Sequence, residues 1–160
     1  MANDGGLIAT LEQWFADQAA ALVYGGAAVF KTADIWRHQV DPIEGGAEKF
    51  DGVEPFFFVS YIDDESAREG DNDLRQVLTF AILVGCAAKA PGAARFGDAA
   101  HLGTSKIRDL LIALFDRNHP GGSFACDEIY YAGATTVVAA ARRCAIQMKF
   151  ETSFLSTPNP

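Results

Sequence analysis

Residues Arg143 to Thr152 alternate in character one position at a time. Cys144, Ile146, Met148 and Phe150 fall on one side of an extended chain, and Arg143, Gln147, Lys149 and Glu151 on the other. Period-two alternation of this kind marks a β-strand with one face on a core and one face on water. The chain must therefore build a sheet, and something else in the sequence must cover its apolar face.

The covering layer is legible upstream. Ile107, Leu110, Leu111, Leu114 and Phe115 recur at i, i+3, i+4, i+7 and i+8, the stripe of a core-facing helix expected over Asp98 to Arg117. Asp98 is its expected N-cap, and Pro120-Gly121-Gly122 stops it. A first helix is expected over Leu7 to Ala21, with Leu11, Trp14 and Phe15 near one stripe and Gly25-Gly26 ending it.

Further strands are expected at Ala28 to Trp36, Phe56 to Ile62 behind Pro55, and Leu74 to Ala87. In the last of these, Leu78, Phe80, Ile82, Val84 and Cys86 share one face. Asp63 to Asp73 reads as a polar turn joining the two neighbouring strands into a long antiparallel hairpin. Val40 to Glu54, with its proline and glycines, reads as a loop, and Ser156 to Pro160 as a frayed tail. Asp127 to Tyr131, continuing near Thr135 to Val138, precedes the alternating final strand. The 160 residues make one domain, of α+β class: a mostly antiparallel sheet of four to five strands backed by two helices.

Charge narrows the partners. A net charge of −8 opposes general nucleic-acid affinity, which needs clustered Lys and Arg, and docking on anionic membranes. No apolar run approaches the ~18 residues of a spanning helix. The first residues, Met1-Ala2-Asn3-Asp4, lack the basic region of a secretory signal. Cys86, Cys126 and Cys144 lack metal-type spacing and read as reduced, partly buried thiols.

No catalytic motif stands out. The acidic run Asp63, Asp64, Glu65, Glu69, Asp71 and Asp73 has its glycine misplaced for a calcium loop and reads as a solvated hairpin tip. His38, His101 and His119 share no helical ligand spacing, and neither a metal nor a cofactor is expected. Cys144 lies on the apolar strand face and reads as a packing residue, and nothing beside Cys126 would activate it. Gly103-Thr104-Ser105-Lys106 resembles part of a phosphate loop but reads as the first turns of a helix.

The aromatic runs pose a different question. Phe56-Phe57-Phe58 and Tyr130-Tyr131 must point large rings to both faces of a strand. The second face is covered either by the first helix or by a partner subunit. Phe57, Val59, Tyr61, Tyr130 and Tyr131 are the candidate residues of such a subunit interface.

The order of elements resembles the tail-terminator and tail-completion proteins of long-tailed phages, of the Mu-like prophage type. The resemblance rests on a helix beginning Leu7-Ile8-Ala9, a Gly-rich loop, and the Pro-led strand Pro55 to Ile62 with its partner Val77 to Val84. It continues with the helix Leu102 to Leu111, the aromatic strand Ile129-Tyr130-Tyr131 and the final strand ending Lys149-Phe150-Glu151. It spans nearly the whole chain as a layout of elements, not as a signature motif.

The resemblance implies a non-enzymatic virion-assembly protein forming a homo-oligomeric ring, a hexamer, with no cofactor. Such a ring caps the tail tube, meets head-completion proteins, and resides in the virion tail after assembly in the host bacterial cytoplasm. The rival readings are a head-closure or minor tail protein of similar fold, a small-molecule-binding domain with an aromatic cavity, and an enzyme with a site assembled from loops around His101, His119 and Asp127.

Overall fold

A computed structural model describes residues 4–37, 54–68, 73–122 and 124–156. Helix α1 (Asp4–Ala20) leads into a two-stranded ribbon, β1 (Val23–Tyr24) and β2 (Ala27–Ala28). Gly25 and Gly26 join the two with φ of 60° and 81°, the left-handed pair that a tight hairpin turn requires. The glycines thus turn a ribbon, with Gly25 five positions beyond the last residue of the helix they were expected to end.

The main sheet contains β3 (Thr32–Ile35), β4 (Phe56–Arg68), β5 (Leu74–Ala87), β6 (Tyr130–Ala139) and β7 (Arg143–Ser156). Their spatial order is β3-β4-β5-β7-β6. The β3–β4 pairing is parallel, and the other three are antiparallel. The fold is α+β, as the sequence indicates. The expected strand Ala28 to Trp36 is divided between β2 and β3.

The expected turn over Asp63 to Asp73 is largely strand. Backbone pairing runs from Asp63↔Thr79 out to Arg68↔Leu74, so the acidic segment lengthens the hairpin instead of closing it early. Ladder pairing satisfies the backbone whatever the side chains, provided these point to water. Residues 69–72 of that segment, most of the expected 40–54 loop, His38 and residues 157–160 lie outside the described residues.

Register fixes the core. Val84↔Ile146, Ile82↔Met148 and Phe80↔Phe150 are cross-strand partners, and all six side chains are buried. Above them lie Leu11, Phe15 and Ala19 of α1, together with Ile107, Leu111 and Phe115 of α3 (Gly103–Phe115). The short helix α2 (Ala93–Phe96) adds Ala93 and Ala94 to the same layer. Phe15 meets Phe115 at 4.9 Å and Phe80 at 5.3 Å between ring centroids, and Phe115 meets Phe150 at 5.5 Å. The expected stripe of α3 is therefore its core stripe, with Leu110 and Leu114 at the half-buried margin.

Helix α3 starts later than its expected boundary. Its N-cap is Leu102, and Asp98 instead organises the turn before it, accepting from the backbone N–H groups of Ala100 at 2.8 Å and His101 at 2.9 Å. Gly97 and Gly103 pack backbone to backbone here with φ of 84° and 73°, and a Cβ on Gly103 would meet the Gly97 nitrogen and the Arg95 carbonyl. The helix ends at Phe115, where Arg117 takes a left-handed φ of 59° and its N–H donates to the Ile129 carbonyl.

Candidate functional site

All helices among the described residues pack on one face of the sheet, so the two edges, and the other face outside its own buried cluster, are where a partner can reach. On the outer face, Phe56 and Phe58 form a small second cluster with Ala145, edged by Trp36, Leu83, Val137 and Val138. Phe56 lies over Gly85, its cross-strand partner, at a position where any Cβ would run into its ring.

This register corrects the expected interface. Phe57 pairs with Val84 and Val59 with Ile82, which turns both toward the helices, and both are 0% exposed. Their side chains belong to the subunit's own core, so the rings on the opposite face are Phe56 and Phe58. Because β4 is apolar on both sides, its own pattern carries no parity, and only pairing with the one-sided β5 decides it.

Tyr61 is half-buried on the core side, its ring 6.1 Å from that of Phe80, and its backbone N–H donates to Glu12 at 2.8 Å. Tyr131 is also on the core side, half-buried 5.5 Å from Phe150. Tyr130 points the other way and is 50% exposed, with its hydroxyl donating to Glu128 at 3.2 Å. The five candidates therefore divide. Two are in the core, two sit at its margin and Tyr130 alone of the five is exposed.

The loop cluster around His119 and Asp127 has defined chemistry. The His119 Nδ1 accepts from the Gly121 N–H at 2.9 Å, so Nε2 carries the proton it donates to the Cys126 carbonyl at 2.6 Å. Both ring nitrogens are spent on backbone, leaving none to take a proton from a nucleophile. Asp127 accepts from Ser153 Oγ at 2.6 Å and from Arg75 at 2.9 Å. The serine hydroxyl, with the arginine after it, holds that carboxyl below the usual carboxylate range. A hydroxyl donated to a carboxylate, with no imidazole between them, is an anchoring contact between the β6 approach and β7. His101 sits elsewhere, held by Asp98 at 2.9 Å.

The cysteines are free and buried. Burial pushes the Cys86 thiol up to about 12, and burial likewise raises that of Cys126, so neither is an activated nucleophile. Thr104 donates its hydroxyl to the Cys144 sulfur at 3.2 Å within the core. Among the described residues, no three His, Cys, Asp or Glu side chains converge as a metal centre needs. No helix among them is long and apolar enough to cross a membrane.

Two of the concave features among the described residues lie beside the helices. One is a groove of about 490 Å³ between the β1–β2 ribbon and the turn before α3, bordered by Tyr24, Phe30, Pro55, His101 and Ile107. The other is a pocket of about 180 Å³ between α3 and β6, where Arg95 and Arg108 meet Ser105, Thr135 and Thr136. The Arg108 guanidinium lies 5.6 Å over the Tyr131 ring and is held by Asp109 at 2.9 Å. Sequence reading missed these arginines because thirteen positions separate them, and only the packing of α2 against α3 brings them together.

No protein-family model matches the chain, and no curated protein matches it.

Proposed function

We propose that the chain is a non-enzymatic phage or prophage virion-assembly protein of the tail-terminator type. It would form a closed ring of identical subunits, a hexamer, that caps the tail tube and gives head-completion proteins a surface to join. The observation that carries this reading is the division of the sheet. One face is covered by the subunit's own helices, while the distal part of β4 and the edge strand β6 lie open on opposite sides. Unlike edges favour a head-to-tail contact, and such a contact repeated by a closing rotation generates a ring.

The net charge of −8 suits this role, since acidic walls repel phosphate and let DNA pass without adhering. The locked imidazole of His119 and the raised thiols of Cys86 and Cys126 also leave the loop-assembled enzyme with little chemistry. Electron microscopy of cognate tails incubated with the purified protein is the test. Rings at the head-proximal end of the tube are expected. A two-fold dimer with an isologous interface, and bare tube ends, would refute the assignment.

A second reading draws on the groove beside the β1–β2 ribbon, whose size and aromatic border suit a small apolar ligand. Saturable binding of such a ligand with a rise in melting temperature would favour it.

A further inference from the structure

We infer that neighbouring copies dock by seating the acidic distal half of β4 from one subunit against the arginine pocket beside β6 of the next. The inference rests on the ring reading, and it names the contact. It starts from two exposed edges that differ in charge.

The first surface is an arm. Beyond Val59, β4 has no strand on its outer side among the described residues, because β3 pairs only with Phe56 through Val59. Residues 62–68 are exposed throughout. A bulge between Tyr61 and Asp63 takes Ile62 out of the ladder and leaves it 44% exposed, flanked by Asp63, Asp64 and Glu65. An exposed apolar side chain next to a run of carboxylates has the composition of an interface anchor with a polar rim.

The second surface is its complement. Strand β6 is an edge strand with no charged residue from Tyr130 to Ala139, although charges are the usual guard against edge pairing. Beside it, Arg95 and Arg108 line the pocket, and next to Arg95 the Phe96 ring is 71% exposed, the most exposed large apolar side chain among the described residues. Asp109 engages one nitrogen of Arg108, a group that carries five N–H donors, so the site keeps capacity for incoming carboxylates. Two guanidiniums around a hollow are a local exception in a chain of net charge −8.

Geometry then selects how copies meet. The β4 and β6 edges are three strand spacings apart, about 14 Å across the sheet. Copies joined through the same edge, β4 on β4 or β6 on β6, would set carboxylates against carboxylates, or arginines against arginines. Like charges face to face are disfavoured, whereas arm to pocket pairs opposite signs and Ile62 with Phe96. The occupant is therefore a second copy in head-to-tail orientation, not a free anion.

Sedimentation velocity without tails tests the contact in three samples across concentration and at low and high salt. The samples are the parent chain, an arm variant (Asp63→Lys, Asp64→Lys, Glu65→Lys) and a pocket variant (Arg95→Glu, Arg108→Glu). All substituted side chains are at least partly exposed, and melting curves establish that the variants fold. The parent is expected to self-associate, more weakly at high salt, and each variant alone at least about tenfold more weakly. An equimolar mixture of the variants is expected to recover association, because each arm then finds a pocket of opposite sign on the other chain. A parent that stays monomeric at the highest attainable concentration overturns the inference. So do variants that associate like the parent, or a mixture that fails to recover. Association recovered by mixing, with no ring on tail tubes, would keep this contact and sink the terminator reading. Rings on tubes formed equally well by both variants would do the reverse.

Discussion

Replacing Phe150 by alanine is the most direct test of how the sheet and helices are registered. Phe150 sits on a central strand, is 0% exposed, and pairs across the ladder with Phe80. Its ring lies 5.5 Å from Phe115, 5.5 Å from Tyr131 and 6.2 Å from Phe15. Removing the ring forfeits about 2 kcal/mol of apolar transfer. Losing three aromatic neighbours adds about 0.5–1.5 kcal/mol for each pair that the surroundings cannot rebuild. Partial relaxation leaves about 4 kcal/mol, inside the ~3–5 kcal/mol range of buried Phe→Ala changes. A domain this size has about 5–15 kcal/mol in hand, so the variant should fold but melt roughly 8–16 °C lower. Urea titration should show a lower midpoint with an unchanged slope, the mark of lost stability without a change in what unfolds. Tyr130→Ala is the matched control, twenty positions away but on the opposite face, and should change stability by less than about 0.5 kcal/mol. A loss below about 1.5 kcal/mol for Phe150→Ala, with a larger one for Tyr130→Ala, would refute the register.

Two further substitutions probe the outer face and the Asp127 anchor. Gly85→Ala should cost about 1–3 kcal/mol by urea titration, because the new methyl would enter the space of the Phe56 ring, which is fully buried and has nowhere to swing; a neutral result would mean that Phe56 does not lie over this strand. Asp127→Asn should lower the melting temperature slightly at neutral pH, by under about 1 kcal/mol, because the carboxylate is more than half exposed. Its folded-state pKa lies below the ordinary carboxylate value, so the contribution is present above about pH 4 and fades as pH falls through the depressed value. The gap between variant and parent should therefore close in acid, and a gap that is constant from pH 7 to strong acid would place its cause elsewhere.

Local pattern alone determines much of this protein. The one-sided alternation in β7 and on β5 names their core faces, and the spacing of Ile107, Leu111 and Phe115 names the face of α3 that covers them. In each case one side of the element is apolar and the other is not, so periodicity and burial carry the same information. The hairpin of β4 and β5 is legible for the same reason, since two hydrophobic runs flank a polar segment.

Tertiary structure decides what periodicity cannot encode. Strand β4 is apolar on both faces, so only its pairing with Val84 and Ile82 shows that Phe57 and Val59 belong to the core and Phe56 and Phe58 to the outer face. The acidic residues after Tyr61 read as a turn, yet ladder bonds to β5 hold them as strand while their side chains remain in water. The parallel pairing of β3 with β4 is likewise not encoded in the pattern of either strand. The arginine pocket depends on α3 packing against both its neighbour α2 and the distant strand β6. A single chain records which side of each element prefers water, and the packing of distant elements decides which of those sides come to face one another.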